Sequence, residues 1–169
     1  SAGGYELILY NVETESRRDE CLRVVLRGDS IDGILILSLT PSDADAERLV
    51  QQRVPTVLID AYHPLLPSVS IDDVAGGQAA TNHLISLGHR RIAYIGEHLE
   101  DNLFKSRVVV DRYSGYRKAL AEAGIPFRPE YHGQGNYGWR DARRMALDIF
   151  SLEERPTALF AYCDTMAYG

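Results

Sequence analysis

Residues 33–60, GILILSLTPSDADAERLVQQRVPTVLID, hold the pattern that decides the fold. Gly33 to Leu39 is an apolar run rich in branched residues and too short for most helices, so it reads as a strand. Ser42 to Arg53 returns to helical spacing, with Ser42 suited to cap its first turn and Pro55 placed to close it. Val57 to Asp60 resumes the strand character. Strand, helix and strand in that order, with continuously apolar strands, predict parallel strands in a sheet covered on both faces and joined by right-handed crossovers.

The same alternation extends both ways. Upstream, Tyr5 to Tyr10 (YELILY) reads as a further buried strand, and Thr14 to Arg27 as a helix with Thr14 at its N-cap and Gly28 at its stop. Downstream, residues 61–68 contain Pro64 and Pro67 and read as an irregular connection. Val69 to Ile71 is a very short strand. Asp72 and Asp73 open a helix to about Leu87, broken by Gly88-His89. Ile92 to Gly96 is a strand, Asp111 to Ala123 a helix stopped by Gly124, and Arg140 to Phe150 a helix after a loop with Gly133, Gly135 and Gly138. Ala158 to Ala161 is a strand, with a last helix opening at Asp164. The expectation is an α/β chain of two lobes, 1–71 and 72–169. It begins just before a strand and ends as a helix starts, which suggests part of a larger protein, cut at both ends.

Composition narrows the function. Of 169 residues 45% are hydrophobic and 25% charged, which supports a proper core, and the formal net charge is −6. A surface that grips nucleic acid needs a basic stripe to neutralise phosphates, so these residues are not expected to hold DNA themselves. Cys21 and Cys163 are far apart, lack CxxC neighbours, and read as reduced thiols of a cytoplasmic protein rather than zinc ligands. No apolar run approaches a membrane span, and no secretion leader opens the chain.

In open parallel sheets, solutes bind beyond the carboxyl ends of the strands. Those ends carry Asn11, Ser38, Thr40, Asp60, the stretch Gly96 to Asp101, and Tyr162-Cys163-Asp164. Asp60 is either a turn residue or a ligand contact. Asp164 can cap the last helix, contact a ligand, or do both. Arg112 opens an apolar-periodic helix, where a cation is unfavourable, so an anionic or hydroxyl-rich partner would hold it; simple solvation is the alternative. Tyr137 and Trp139 sit in the glycine-rich loop, placed either to stack on a ring or to pack. His83 and His89 read as structural. No nucleophile elbow, phosphate-binding Gly-Lys-Ser/Thr loop or HExxH sequence is present, so no enzyme, cofactor or metal is expected.

Three ordered segments carry a resemblance: DDVAGGQAATNHLISLGHRRIAYIG at 72–96, RYSGYRKAL at 112–120 and RPTALFAYCDTMAYG at 155–169. Together with the SIDGILIL and VPTVLID segments they resemble the LacI/GalR family of bacterial regulators over nearly the whole chain. The resemblance implies a two-lobed periplasmic-binding-protein-like fold with a sugar-like effector in the cleft. It also implies homodimers, and operator DNA read by an N-terminal helix-turn-helix that is not in this chain; the family's first strand and helix would precede Gly3. Carried over by position, Asp60 is a strand-end acid facing the effector, Arg112 the arginine that contacts effector hydroxyls or carboxylates, and Asp164 the acid of an Asn-Asp pair, while Tyr137 falls near the aromatic that stacks on the effector. Cys163 replaces the Asn of that pair and departs from the usual sugar-binding set. The stretch between Gly96 and Arg112 is longer than the family's common form, with Asp101, Asn102 and Lys105 as candidates inside it. Two rival readings are a periplasmic sugar-binding protein of a transport system and an α/β hydrolase; the wording of the 88–96 and 157–169 segments favours the regulator.

Overall fold

The computed structural model describes residue 4 and residues 6–12, 14–27, 31–100 and 106–169. The chain divides into two compact units, Ser1–Val69 and Ser70–Gly169. The first unit holds α1 (Glu15–Arg27), β1 (Ile34–Leu37), α2 (Asp43–Gln51), β2 (Thr56–Ile59) and β3 (Ser68–Val69). The expected caps form. Arg17 N donates to Thr14 Oγ1 at 3.2 Å, and Asp45 N donates to Ser42 Oγ at 3.2 Å. Each satisfies an amide that a helix start leaves without an internal acceptor. Gly28, the expected stop of α1, lies outside the described residues.

The sheet runs β1-β2-β3, all parallel, with Leu35 opposite Val57 and Leu37 opposite Ile59. Its inner face packs Leu58, with Ile34 and Ile36 beside it, onto Ala46 and Leu49 of α2. The other face is open among the described residues, with Leu37 63% exposed, so the expected cover on both faces is not observed in this unit.

The strand expected over Tyr5 to Tyr10 is corrected. Residues 6–10 join no ladder, Leu7 and Leu9 are each 87% exposed, and Tyr5 lies outside the described residues. An apolar run supplies side chains for a core, but a strand also needs neighbouring amides and carbonyls. None of the described strands pairs with this segment.

The second unit holds α3 (Asp73–Ser86), β4 (Ile92–Glu97), α4 (Arg107–Glu122), β5 (His132–Gly135), α5 (Trp139–Phe150), β6 (Ala158–Ala161) and α6 (Asp164–Ala167). Its parallel sheet runs β5-β4-β6. The central strand β4 is buried from Ile92 to Gly96. Tyr94 at its middle is fully buried, ringed by Tyr113 and Tyr116 of α4, His132 of β5 and Phe160 of β6 at centroid distances of 5.2–5.8 Å. Tyr116 closes this core by donating its hydroxyl to Ile92 O at 2.9 Å.

Among the differences from the sequence reading, two shifted elements and one added strand stand out. The expected strand at Val69 to Ile71 lies at Ser68–Val69. Helix α4 starts at Arg107, four residues before the expected Asp111, because Val109 finds a buried seat that outweighs the weak helix propensity of a valine run. The glycine-rich loop contains β5. A Cβ on Gly133 would stand 3.0 Å from Met145 Cβ, so glycine lets α5 pack close against this edge strand.

Candidate functional site

Helices α3 and α4 cross at glycines. A Cβ on Gly77 would sit 2.3 Å from Arg112 O, and one on Gly115 would sit 2.2 Å from Val74 O. This contact brings the first two turns of α3 against the second and third turns of α4. Arg112 therefore stands inside the helix and not at its positive end, which corrects the reason first given for its partner. The partner is within the chain: Arg112 Nε donates to Asp73 Oδ1 at 2.7 Å, and Arg112 Nη1 donates to Tyr162 O at 2.8 Å. The Asp73 side chain is 7% exposed, the Arg112 side chain 28%. Asp72 performs the capping, accepting from Ala75 N at 2.9 Å, which leaves Asp73 to meet the arginine. Sequence reasoning missed Asp73 as a site residue. The only signal was a pair of acids where one suffices for a cap.

A pocket of about 380 Å³ opens at this point, beyond the carboxyl end of β6. Arg112 and Asp73 form one side. Ile71, Phe160, Ala161 and Ala167 give apolar wall, and Gly76 and Gly77 leave room on α3. Cys163 and Asp164, at the start of α6, complete the lining. Cys163 is a free, partly buried thiol. Asp164 is exposed and its carboxylate meets no partner among the described residues. Beside them the Tyr162 hydroxyl donates to the Glu97 carboxylate; burial first, and that bond second, push the Tyr162 hydroxyl well above the usual phenol range.

The structure thus brings Arg112, Cys163 and Asp164 together. Tyr137 is not in the lining; it is 61% exposed and its hydroxyl shares a 2.8 Å hydrogen bond with Thr165 Oγ1, next to Asp164. Trp139 begins α5 with Arg140 stacked 4.9 Å over its ring. Asp101, Asn102 and Lys105 lie outside the described residues. In the first unit, Asp60 follows β2 in a left-handed conformation (φ 51°), and Ser38 follows the neighbouring β1 in the same conformation (φ 53°). Non-glycine residues in this region are uncommon, and such strain concentrates at functional positions. His89 Nδ1 hydrogen-bonds Thr157 Oγ1 at 3.0 Å. A second hollow, of about 290 Å³, lies between α1 and α2 and is lined by no strand-end residue. Among the described residues no group of His, Cys, Asp and Glu could hold a metal ion, and no helix is long and apolar enough to cross a membrane.

Compared with known proteins, residues 81–169, more than half of the chain, match the periplasmic binding protein-like domain. The chain belongs to that family. Within the periplasmic binding protein-like family its similarity is to LacI-type regulators, over their effector-binding domain. Catabolite control protein A of Priestia megaterium is 30% identical over 167 residues, covering 98% of this chain and 49% of the relative. The HTH-type transcriptional repressor PurR of Actinobacillus pleuropneumoniae serotype 5b (strain L20) is 32% identical, covering 98% and 48%. A regulatory protein of LacI family from Chloroflexus aggregans superposes with a TM-score of 0.75 at 33% identity, covering 92% of this chain and 55% of that one. The complex of the transcriptional regulator CelR with cellobiose superposes with a TM-score of 0.72 at 28% identity, covering 90% and 46%. The chain spans about half the length of the curated relatives it matches. These relatives are regulators, not enzymes.

Proposed function

We propose that the chain is the effector-binding core of a bacterial transcription regulator that responds to a sugar or sugar derivative. The observation that carries this reading is Arg112: a partly exposed guanidinium held by Asp73 at a pocket beyond the end of β6, in a chain of the periplasmic binding protein-like family. The CelR–cellobiose likeness supports the sugar. In this reading Arg112, Cys163 and Asp164 contact the effector, and Asp60, Asp101 and Tyr137 are further candidate contacts. The lobes are 1–71 and 72–169. The protein acts in the cytoplasm as a homodimer and reads operator DNA through an N-terminal helix-turn-helix outside this chain. The names of the relatives weigh against the transport-protein alternative.

The physical device is a population shift. A solute that prefers one lobe arrangement biases the equilibrium by its differential affinity, and the paired DNA heads follow. The test is Arg112→Ala in the full-length protein, with its melting temperature checked against the wild type, and beside it Arg112→Ala combined with Asp73→Asn, which leaves no buried carboxylate without its partner. Loss of charge-assisted donors should weaken effector binding by about 10- to 100-fold while operator affinity without effector stays within about twofold. Calorimetric titration and operator binding measure the two separately, and unchanged effector affinity removes Arg112 from the site.

A further inference from the structure

The geometry points to a charge preference at this pocket: its solute is an uncharged or positively charged polar molecule, a polyol or amino-polyol, and not an anion such as a phosphate ester or carboxylate. This rests on the effector-binding reading above. Among the described lining residues Arg112 is the one cation, and its charge is already balanced by Asp73 at 2.7 Å. Pulling the arginine toward an incoming anion would leave a buried carboxylate uncompensated, a costly state, so the pair stays intact when a solute enters. Asp164 then remains as the unmatched charge of this half-site, because its carboxylate meets no partner among the described residues. The pocket therefore presents a negative field while still offering guanidinium N–H donors. Hydroxyl groups satisfy both sides, donating to Asp164 and accepting from Arg112. An ammonium group gains at Asp164, whereas a phosphate or carboxylate is repelled there. The apolar wall of Ile71, Phe160, Ala161 and Ala167 suits the C–H face of a saturated ring.

The experiment titrates the full-length protein with matched series by calorimetry: glucose, glucosamine and glucose 6-phosphate; ribose and ribose 5-phosphate; adenosine and adenosine monophosphate. The expected result is binding by a neutral or amino member, with its phosphate at least about tenfold weaker, the size of one partly screened charge contact. In Asp164→Asn, with its melting temperature checked against the wild type, that gap should shrink by at least half. A phosphate bound more tightly than its neutral parent, or a gap unchanged in Asp164→Asn, overturns the charge preference and leaves the effector-binding reading standing. Binding of no member of any series overturns the effector-binding reading, and the charge preference falls with it.

Discussion

Gly76, Gly77 and Gly115 look equivalent in sequence, yet the fold asks different things of them. A Cβ at Gly115 would be driven to 2.2 Å from Val74 O and 2.6 Å from Gln78 N, both backbone atoms that cannot swing aside. Gly115→Ala must push α3 from α4 and strain the Arg112–Asp73 pair that this crossing creates. We expect it to destabilise by about 3 kcal/mol or more, as overpacking does. At Gly76 a Cβ meets nothing within 4 Å, so Gly76→Ala should stabilise the helix by about 0.5–1 kcal/mol through its better propensity. Urea unfolding of both variants checks the contrast; equal effects would mean that the glycine crossing does not set the site. At this scale the sequence was only half legible. Arg112 stood out as a cation at the edge of an apolar-periodic helix. Asp73 lies 39 residues away, and only helix packing brings the two together.

At the scale of elements, β5 explains both a missed strand and a pH dependence. Its HGQG sequence has no apolar run, because glycines admit α5 and the strand sits at the sheet edge. Its one ring, His132, stacks on Tyr113 at 4.4 Å, and the His132 Nε2 is buried without a hydrogen-bond partner among the described residues. Burial, with a smaller contribution from Arg117, lowers its pKa from 6.5 to about 4. In the unfolded chain the same imidazole takes up a proton near its ordinary value. The unfolded state therefore binds the extra proton between these limits. Stability from this group is fully present above about pH 6.5, falls as pH drops toward 4, and levels off below. The loss is on the order of 2 kcal/mol once residual solvent contact is allowed for. His132→Phe should flatten that part of the stability–pH curve, measured by denaturant unfolding between pH 7.5 and 4. A variant curve parallel to the wild type would show that another group carries the slope. Legible elements were those whose apolar run also found a neighbour, such as 34–37, 56–59 and 92–97. The segment 6–10 had the run without the neighbour, and β5 had the neighbour without the run.

Across the whole chain, the two units differ in how much apolar surface they close off. The second has a sheet whose central strand is buried along nearly its length, with Tyr94 at the hub of four rings. The first has a small core around Ala46, Leu49, Leu58 and Leu66, and a sheet face where Leu35, Leu37 and Val69 are all more than 60% exposed. Local opening costs least where few apolar contacts are lost, so exchange protection should follow this difference. In the 169-residue chain the amides of Tyr94 and Ile95 should be among the slowest to exchange, and those of Leu35 to Leu37 at least about tenfold faster, a gap of roughly 1.4 kcal/mol in opening free energy. Hydrogen exchange read by mass spectrometry or NMR makes the comparison directly. Equal protection in the two strands would mean that the open face of β1 and β2 is covered in solution, most simply by association of the chain with itself. Dilution separates those cases, because self-association loses protection as concentration falls while an intrinsically tight unit does not.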